Sequence, residues 1–203
     1  RSNPLEMRIT ATLSAWALAQ GLSAQWTPTY QTANSEIVTV FSSPNEQTAW
    51  FITNFDRLYK TADGGSTWTL GTAVPAFIPS GLFVMDDLVA FKTGGTSLLK
   101  TSDGGASWAT VFTGPGSLAP EVWMTSASTG VMACNGSLYA TTNSGDSWSI
   151  SAIAQPPSAP AFSNGKGVLC AHGDSIWAAL ESGGIAFSPD LGATWSVPMN
   201  SGW

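Results

Sequence analysis

The chain has 203 residues, 43% hydrophobic and only 10% charged, with a formal net charge of −6. Beyond the N-terminal segment its basic residues are Arg57, Lys60, Lys92, Lys100 and Lys166, too few to line a phosphate backbone, which argues against a nucleic-acid role. The length suits one domain with a real core, and the abundance of Trp, Thr, Ser and Gly beside few helix formers points to an all-β fold.

Residues 1–24 read as upstream sequence followed by a leader. Met7-Arg8 gives a short positive start, 9–19 is mostly apolar or small, and Leu22-Ser23-Ala24 fits a cleavage site, so 7–24 is expected to be a signal peptide. A surface helix over 10–20 is the alternative. No later stretch is long and apolar enough to span a bilayer. The expected location is therefore secreted, cell-surface or periplasmic.

From residue 25 onward the chain repeats. Gln25 to Tyr30 resembles the strand that closes each later repeat, and 26–31 is expected to be an orphan outer strand. Thr61, Asp63, Gly65 and Trp68 then recur as Thr101, Asp103, Gly105 and Trp108, as Thr141, Asn143, Gly145 and Trp148, and as Ser188, Asp190, Gly192 and Trp195. The shared pattern is Ser/Thr-x-Asp-x-Gly-x-Ser/Thr-Trp, with its tryptophans 40, 40 and 47 residues apart. That period with strand-rich units predicts propeller blades. Apolar runs flank each copy, so each reads as strand, turn, strand. The Asp is expected to accept N–H groups two residues on, the Gly to supply positive φ, and the Trp to anchor the outgoing strand, making a self-contained hairpin staple.

The expected blades cover about 36–72, 81–112, 121–152 and 167–199, each of four antiparallel strands. Trp50 lies 13 residues before Asp63 and Trp177 lies 13 before Asp190, which registers the second strand of the last repeat on that of the first. The seven extra residues of the last repeat therefore fall before its first strand, in 155–166. Gln155, Pro156, Pro157, Phe162, Asn164 and Lys166 are the candidate binding loop, against the simpler reading of neutral length variation in a surface loop. The orphan strand leaves the strand count unbalanced. An open, partial propeller of about four blades is expected, with a closed four-bladed ring as the alternative.

The repeated motif resembles the Asp-box, or BNR repeat, of sialidases, sortilin-like receptors, some glycoside hydrolases and photosystem II assembly factor-like propellers. The last group is the nearest in pattern, on the run Leu58-Tyr59-Lys60-Thr61-Ala62-Asp63-Gly64-Gly65-Ser66-Thr67-Trp68. The resemblance implies that the box joins the third and fourth strands of a blade at its periphery. It also implies that the connection between blades, where 155–166 lies, opens on the ligand-bearing top face.

Catalytic chemistry finds little support. The resemblance to sialidases implies three arginines on a sugar carboxylate, and 25–203 contains only Arg57. A two-carboxylate glycosidase needs a pair about 5–10 Å apart. Asp86, Asp87, Glu36, Glu121, Glu181 and Asp174 are the candidates outside the boxes, and Glu36 and Glu121 both open first strands at one end. His172 is the only histidine, and there is no metal-ligand spacing and no phosphate-cradling loop, so neither cofactor nor metal is expected. Cys134 and Cys170 fit either a disulfide or, preferably, two buried thiols. The leading expectation is a non-catalytic scaffold whose top face binds protein or glycan. The alternatives are part of a glycan-acting hydrolase whose catalytic residues lie outside this chain, and a carbohydrate-binding module using exposed Trp123 or Trp177.

Overall fold

A computed structural model of the chain describes residues 36–74, 79–115, 120–150, 169–180 and 184–199. The leader at 7–24, the outer strand expected at 26–31 and the loop 155–166 lie outside the described residues. Among the described residues there is no helix, and sixteen strands form four sheets. Blade one is β1 (Val38–Ser42), β2 (Ala49–Thr53), β3 (Arg57–Thr61) and β4 (Thr69–Ala73). Blade two is β5 (Pro79–Val84), β6 (Ala90–Gly94), β7 (Ser97–Thr101) and β8 (Ala109–Thr113). Blade three is β9 (Glu121–Met124), β10 (Gly130–Cys134), β11 (Ser137–Thr141) and β12 (Ser149–Ile150). Blade four is β13 (Leu169–His172), β14 (Ser175–Ala179), β15 (Ile185–Ser188) and β16 (Ser196–Met199). Within each blade the strands pair antiparallel in chain order.

The first strands line the inside: β1 lies against β5, β5 against β9 and β9 against β13. The second strands carry the core. β6 and β10 are buried along their whole length, because each is packed on both faces by neighbouring blades; β10 is a near-continuous apolar run, whereas β6 buries Lys92 and Thr93 beside Ala90 and Phe91. The fourth strands β4 and β8 are largely exposed. The structure is thus an open, partial propeller of four blades with its apolar interior in the seams between sheets.

Each seam is built the same way. Trp50, Ile52 and Leu58 of blade one pack with Val84, Ala90 and Trp108 of blade two. Phe91 and Leu98 of blade two pack with Met132, Tyr139 and Trp148 of blade three. Val131 and Leu138 of blade three pack with Ile176, Ala186 and Trp195 of blade four. The tryptophans of the second, third and fourth boxes therefore lie against the preceding blade, while Trp68 lies against Phe51 of its own blade. The expectation of a self-contained staple is corrected: the indole precedes its outgoing strand and joins two sheets. Burial explains the choice, because an indole saves most area where two faces already exclude water.

Lysines at one position of the third strands tighten two of these seams. Lys60 Nζ donates to the Gly104 carbonyl of the next box and stands 4.9 Å from the Trp50 ring centroid. Lys100 Nζ pairs with Asp146 Oδ1 of the next box at 2.6 Å. These two bases are therefore engaged in holding blades together.

Candidate functional site

The boxes show how little of their chemistry is spare. Thr61 Oγ1 accepts the buried Gly65 N–H at 2.9 Å and donates to Asp63 Oδ1 at 2.8 Å. Asp63 then accepts the Thr67 N–H at 2.9 Å and the Thr67 hydroxyl at 2.7 Å. The second box repeats this through Thr101, Asp103, Gly105 and Ser107, and the fourth through Ser188, Asp190, Gly192 and Thr194. In the third, Asn143 Oδ1 accepts the Ser147 N–H at 3.1 Å while its Nδ2 donates to Ser147 Oγ at 2.9 Å. The Asp thus reaches four residues on, against the two expected, and the buried glycine N–H goes to the first Ser/Thr.

Two consecutive box residues are left-handed. Gly65, Gly105, Gly145 and Gly192 have φ of 84°, 86°, 79° and 87°. The residue before each is also left-handed, and in two boxes it is Ser144 at 62° or Leu191 at 57°. The positive φ at a leucine shows that box geometry overrides local preference there.

These bonds set an acid limit on stability. Hydrogen bonds from the Thr67 N–H, the Thr67 hydroxyl and the Thr61 hydroxyl hold Asp63 down to about 2 from an ordinary 3.8. The Ser107 hydroxyl, followed by its N–H, does the same for Asp103, also to about 2. Asp190 is lowered chiefly by the Thr194 hydroxyl. Between those values and 3.8 the unfolded chain binds more protons than the folded one, so stability falls as pH drops through that window. A melting-temperature series should be flat above about pH 5 and decline from about pH 4 toward pH 2. Asn143→Asp, which adds a fourth such carboxylate, should steepen the decline.

A cavity of about 1030 Å³ lies on the inner side of blades one to three. Its walls are the first strands β1, β5 and β9, and it runs to the turns that follow them at Ser43, Asp86 and Ser126. Phe41 is 59% exposed on this wall, and Phe83 and Trp123 face each other with ring centroids 5.8 Å apart. Asp86 and Glu121 are the acids among its described lining residues, and no basic side chain is among them. Sequence reasoning placed the site on 155–166 and did not name Phe41 or Phe83. The available signal was an aromatic residue in first strands otherwise built from small or aliphatic side chains.

Glu36, Asp86 and Asp87 have structural work, and Glu181 lies outside the described residues. Glu36 is buried and pairs with Arg57 at 2.5 Å. Asp86 Oδ1 accepts the Leu88 and Val89 N–H groups at 2.8 and 2.7 Å, closing its own turn. Asp87 Oδ1 accepts the Thr48 hydroxyl of blade one at 2.6 Å. Glu36 is thus spent on Arg57 and does not line the cavity with Glu121. Lys92 is wholly buried; desolvation lowers its pKa, against the opposing charge of Asp56. His172 is exposed at the end of β13. No group of three metal-ligating side chains exists among the described residues.

Cys134 and Cys170 are not bonded to one another. Cys134 is buried in the seam between blades two and three, whereas Cys170 is exposed on blade four. Both the possible disulfide and the burial of Cys170 are therefore corrected: the two thiols sit on blade faces that point in different directions. Trp177 is 41% exposed, also on blade four, while Trp123 packs partly into the seam between blades three and four.

No family model matches the chain, and no curated protein does. Solved structures do. A YCF48 structure described as bound to D1 peptide matches with a TM-score of 0.57 at 19% identity, covering 82% of this chain and 56% of that one. YCF48 from Cyanidioschyzon merolae matches at 0.56 and 17%, covering 82% and 57%. The GH74 enzyme of Niastella koreensis matches at 0.62 and 19%, covering 85% of this chain and 27% of that one. The chain spans little more than half the length of the first two and about a quarter of the third. At these identities the likeness concerns fold. With the four sheets and their seams, it identifies the chain as a four-bladed portion of a β-propeller, of the fold shared by YCF48 and GH74 proteins.

Proposed function

We propose that the chain is a non-catalytic, exported scaffold that binds an extended apolar segment of a protein partner along the inner cavity. The observation carrying this reading is the cavity wall: first strands of three blades present Phe41, Phe83 and Trp123 beside Asp86 and Glu121. Apolar side chains with few polar groups are what a peptide groove offers, and the acids of the described lining favour a neutral or basic segment. The YCF48 structure with a bound peptide supports a protein partner, and the leader-like 7–24 supports export. Catalysis is disfavoured because Glu36, Asp86, Asp87 and the box carboxylates hold seams, turns and boxes.

Panning a random-peptide display library on the folded chain tests the reading. Enriched sequences should be apolar with Lys or Arg, and Phe41→Asp should weaken a selected peptide at least about tenfold by titration calorimetry. Failure to enrich any sequence, or binding indifferent to Phe41→Asp, sinks the proposal. A glycan reading rests on Trp123 in the wall; oligosaccharide binding lost in Trp123→Ala would put it first.

A further inference from the structure

The cavity is walled by strand edges as well as side chains. β1, β5 and β9 are each the end strand of a separate sheet, so one side of each pairs with a second strand and the other turns inward. Among the described residues no backbone hydrogen bond joins one first strand to the next. Main-chain N–H and C=O groups therefore face the cavity and call for partners.

Alternation fixes which groups these are. In an antiparallel pair every second residue exchanges both backbone bonds with the residue opposite, and the residues between turn theirs away. The Met85 N–H donates to the Val89 carbonyl at 2.9 Å, which phases β5: Phe83 bonds to Phe91, and Leu82 and Val84 point inward. The Thr125 N–H donates to the Thr129 carbonyl, also at 2.9 Å, which phases β9: Trp123 bonds to Val131, and Val122 and Met124 point inward.

The two edges differ at one group. The Val84 N–H on β5 is capped by the Ser42 hydroxyl of blade one at 2.9 Å. Ser42 pairs with Trp50 and Phe83 with Phe91, and both of those second-strand residues pair with a third-strand lysine. Phe83 thus stands in blade two where Ser42 stands in blade one, and its ring offers no acceptor. The Met124 N–H, counterpart of the Val84 N–H, is left open to the cavity.

Resting on the function proposed above, we propose that the bound segment lies along β9 as an added strand, exchanging backbone hydrogen bonds with Val122 and Met124. β9 is four residues long, so the pairing spans about 13 Å. The main chain of the segment answers the open row of N–H and C=O groups whatever its sequence, and its alternate side chains give the selectivity. They would extend in turn the face of Val122 and Met124 and the face of Trp123. Glu121 heads β9 and Asp86 follows β5, so Lys or Arg on the segment completes the charge match.

The probe is the most enriched peptide of the panning, synthesised with one N-methylated amide at a time and titrated against the whole chain. Losses of about tenfold or more are expected at every second position, with tolerance between, because alternate amides of an added strand bond to the edge. Amide hydrogen exchange read by NMR should slow at least about tenfold at Val122 and Met124 when the unmethylated peptide binds. Trp123, already bonded to Val131, should change little. A peptide that binds without the alternation, or without protection at Val122 and Met124, overturns the added strand and leaves the peptide-binding function standing. Enrichment of no peptide overturns both.

Discussion

Gly145→Ala should destabilise the protein by about 2–5 kcal/mol, read as a shift in the denaturant midpoint at unchanged slope. Two costs add. At φ 79° an alanine pays left-handed strain, roughly 1–3 kcal/mol. The new Cβ would also stand 2.5 Å from two ring carbons of Phe91 and 3.4 Å from Trp148. Phe91 is fully buried and its ring is rigid, so the seam must open to accept the methyl group. Gly105 faces the flexible tip of Leu58 in the same role and should suffer less. Gly173→Ala separates the terms. Its φ is 56°, nothing lies within 4 Å of its Cβ position, and only the strain should remain. Equal losses at Gly145 and Gly173 would mean that the box glycine is not a packing contact.

Trp50→Ala should cost about 3–5 kcal/mol, the usual range for emptying a large aromatic site in a core. Trp50 is 1% exposed and holds four things in place. Ile52 packs beside it, Trp108 and the Gly105 position meet it from blade two, and the Lys60 ammonium sits over its ring. Its removal leaves Lys60 half-buried without the ring and leaves Trp108 facing a void. Trp177→Ala lies in the same column with much of its ring in solvent. Measured by urea unfolding, it should cost less than about half as much. A Trp50→Ala loss no greater than that of Trp177→Ala would show that the seam between blades one and two contributes little.

Much of the fold is legible because the repeats are. Tryptophans 40 and 47 residues apart set the blade count, and Trp50 and Trp177, each 13 residues before an Asp, align second strands that share no other obvious identity. Strands β3, β7, β10 and β11 begin and end where their apolar runs and turn residues place them. What stays hidden is what passes between repeats. Gly145 meets Phe91 across 54 positions of sequence, and no periodicity within one repeat reports which neighbour a box will touch. The cavity is hidden for the same reason. Alternation assigns Phe41 to one side of β1 and buried Val40 to the other, but cannot show that three first strands converge on a common space. Leu191 is a different case: its left-handed φ is invisible in the residue and visible only in its column, beneath Gly64 and Gly104.

The placement of the box on the preceding sheet has a consequence for how such chains change length. Every unit carries both halves of a joint: a second-strand side chain on one face, a glycine and an indole on the other. In-frame duplication or deletion of one unit of about 40 residues therefore brings its own fittings, and no new joint has to be invented. Val131 and Ala140, standing where other units have Trp50 with Lys60 or Phe91 with Lys100, show that the fittings tolerate exchange while the joint persists. The number of units is thereby decoupled from the chemistry of any one of them, so a lineage can change its ring size while keeping the same joint.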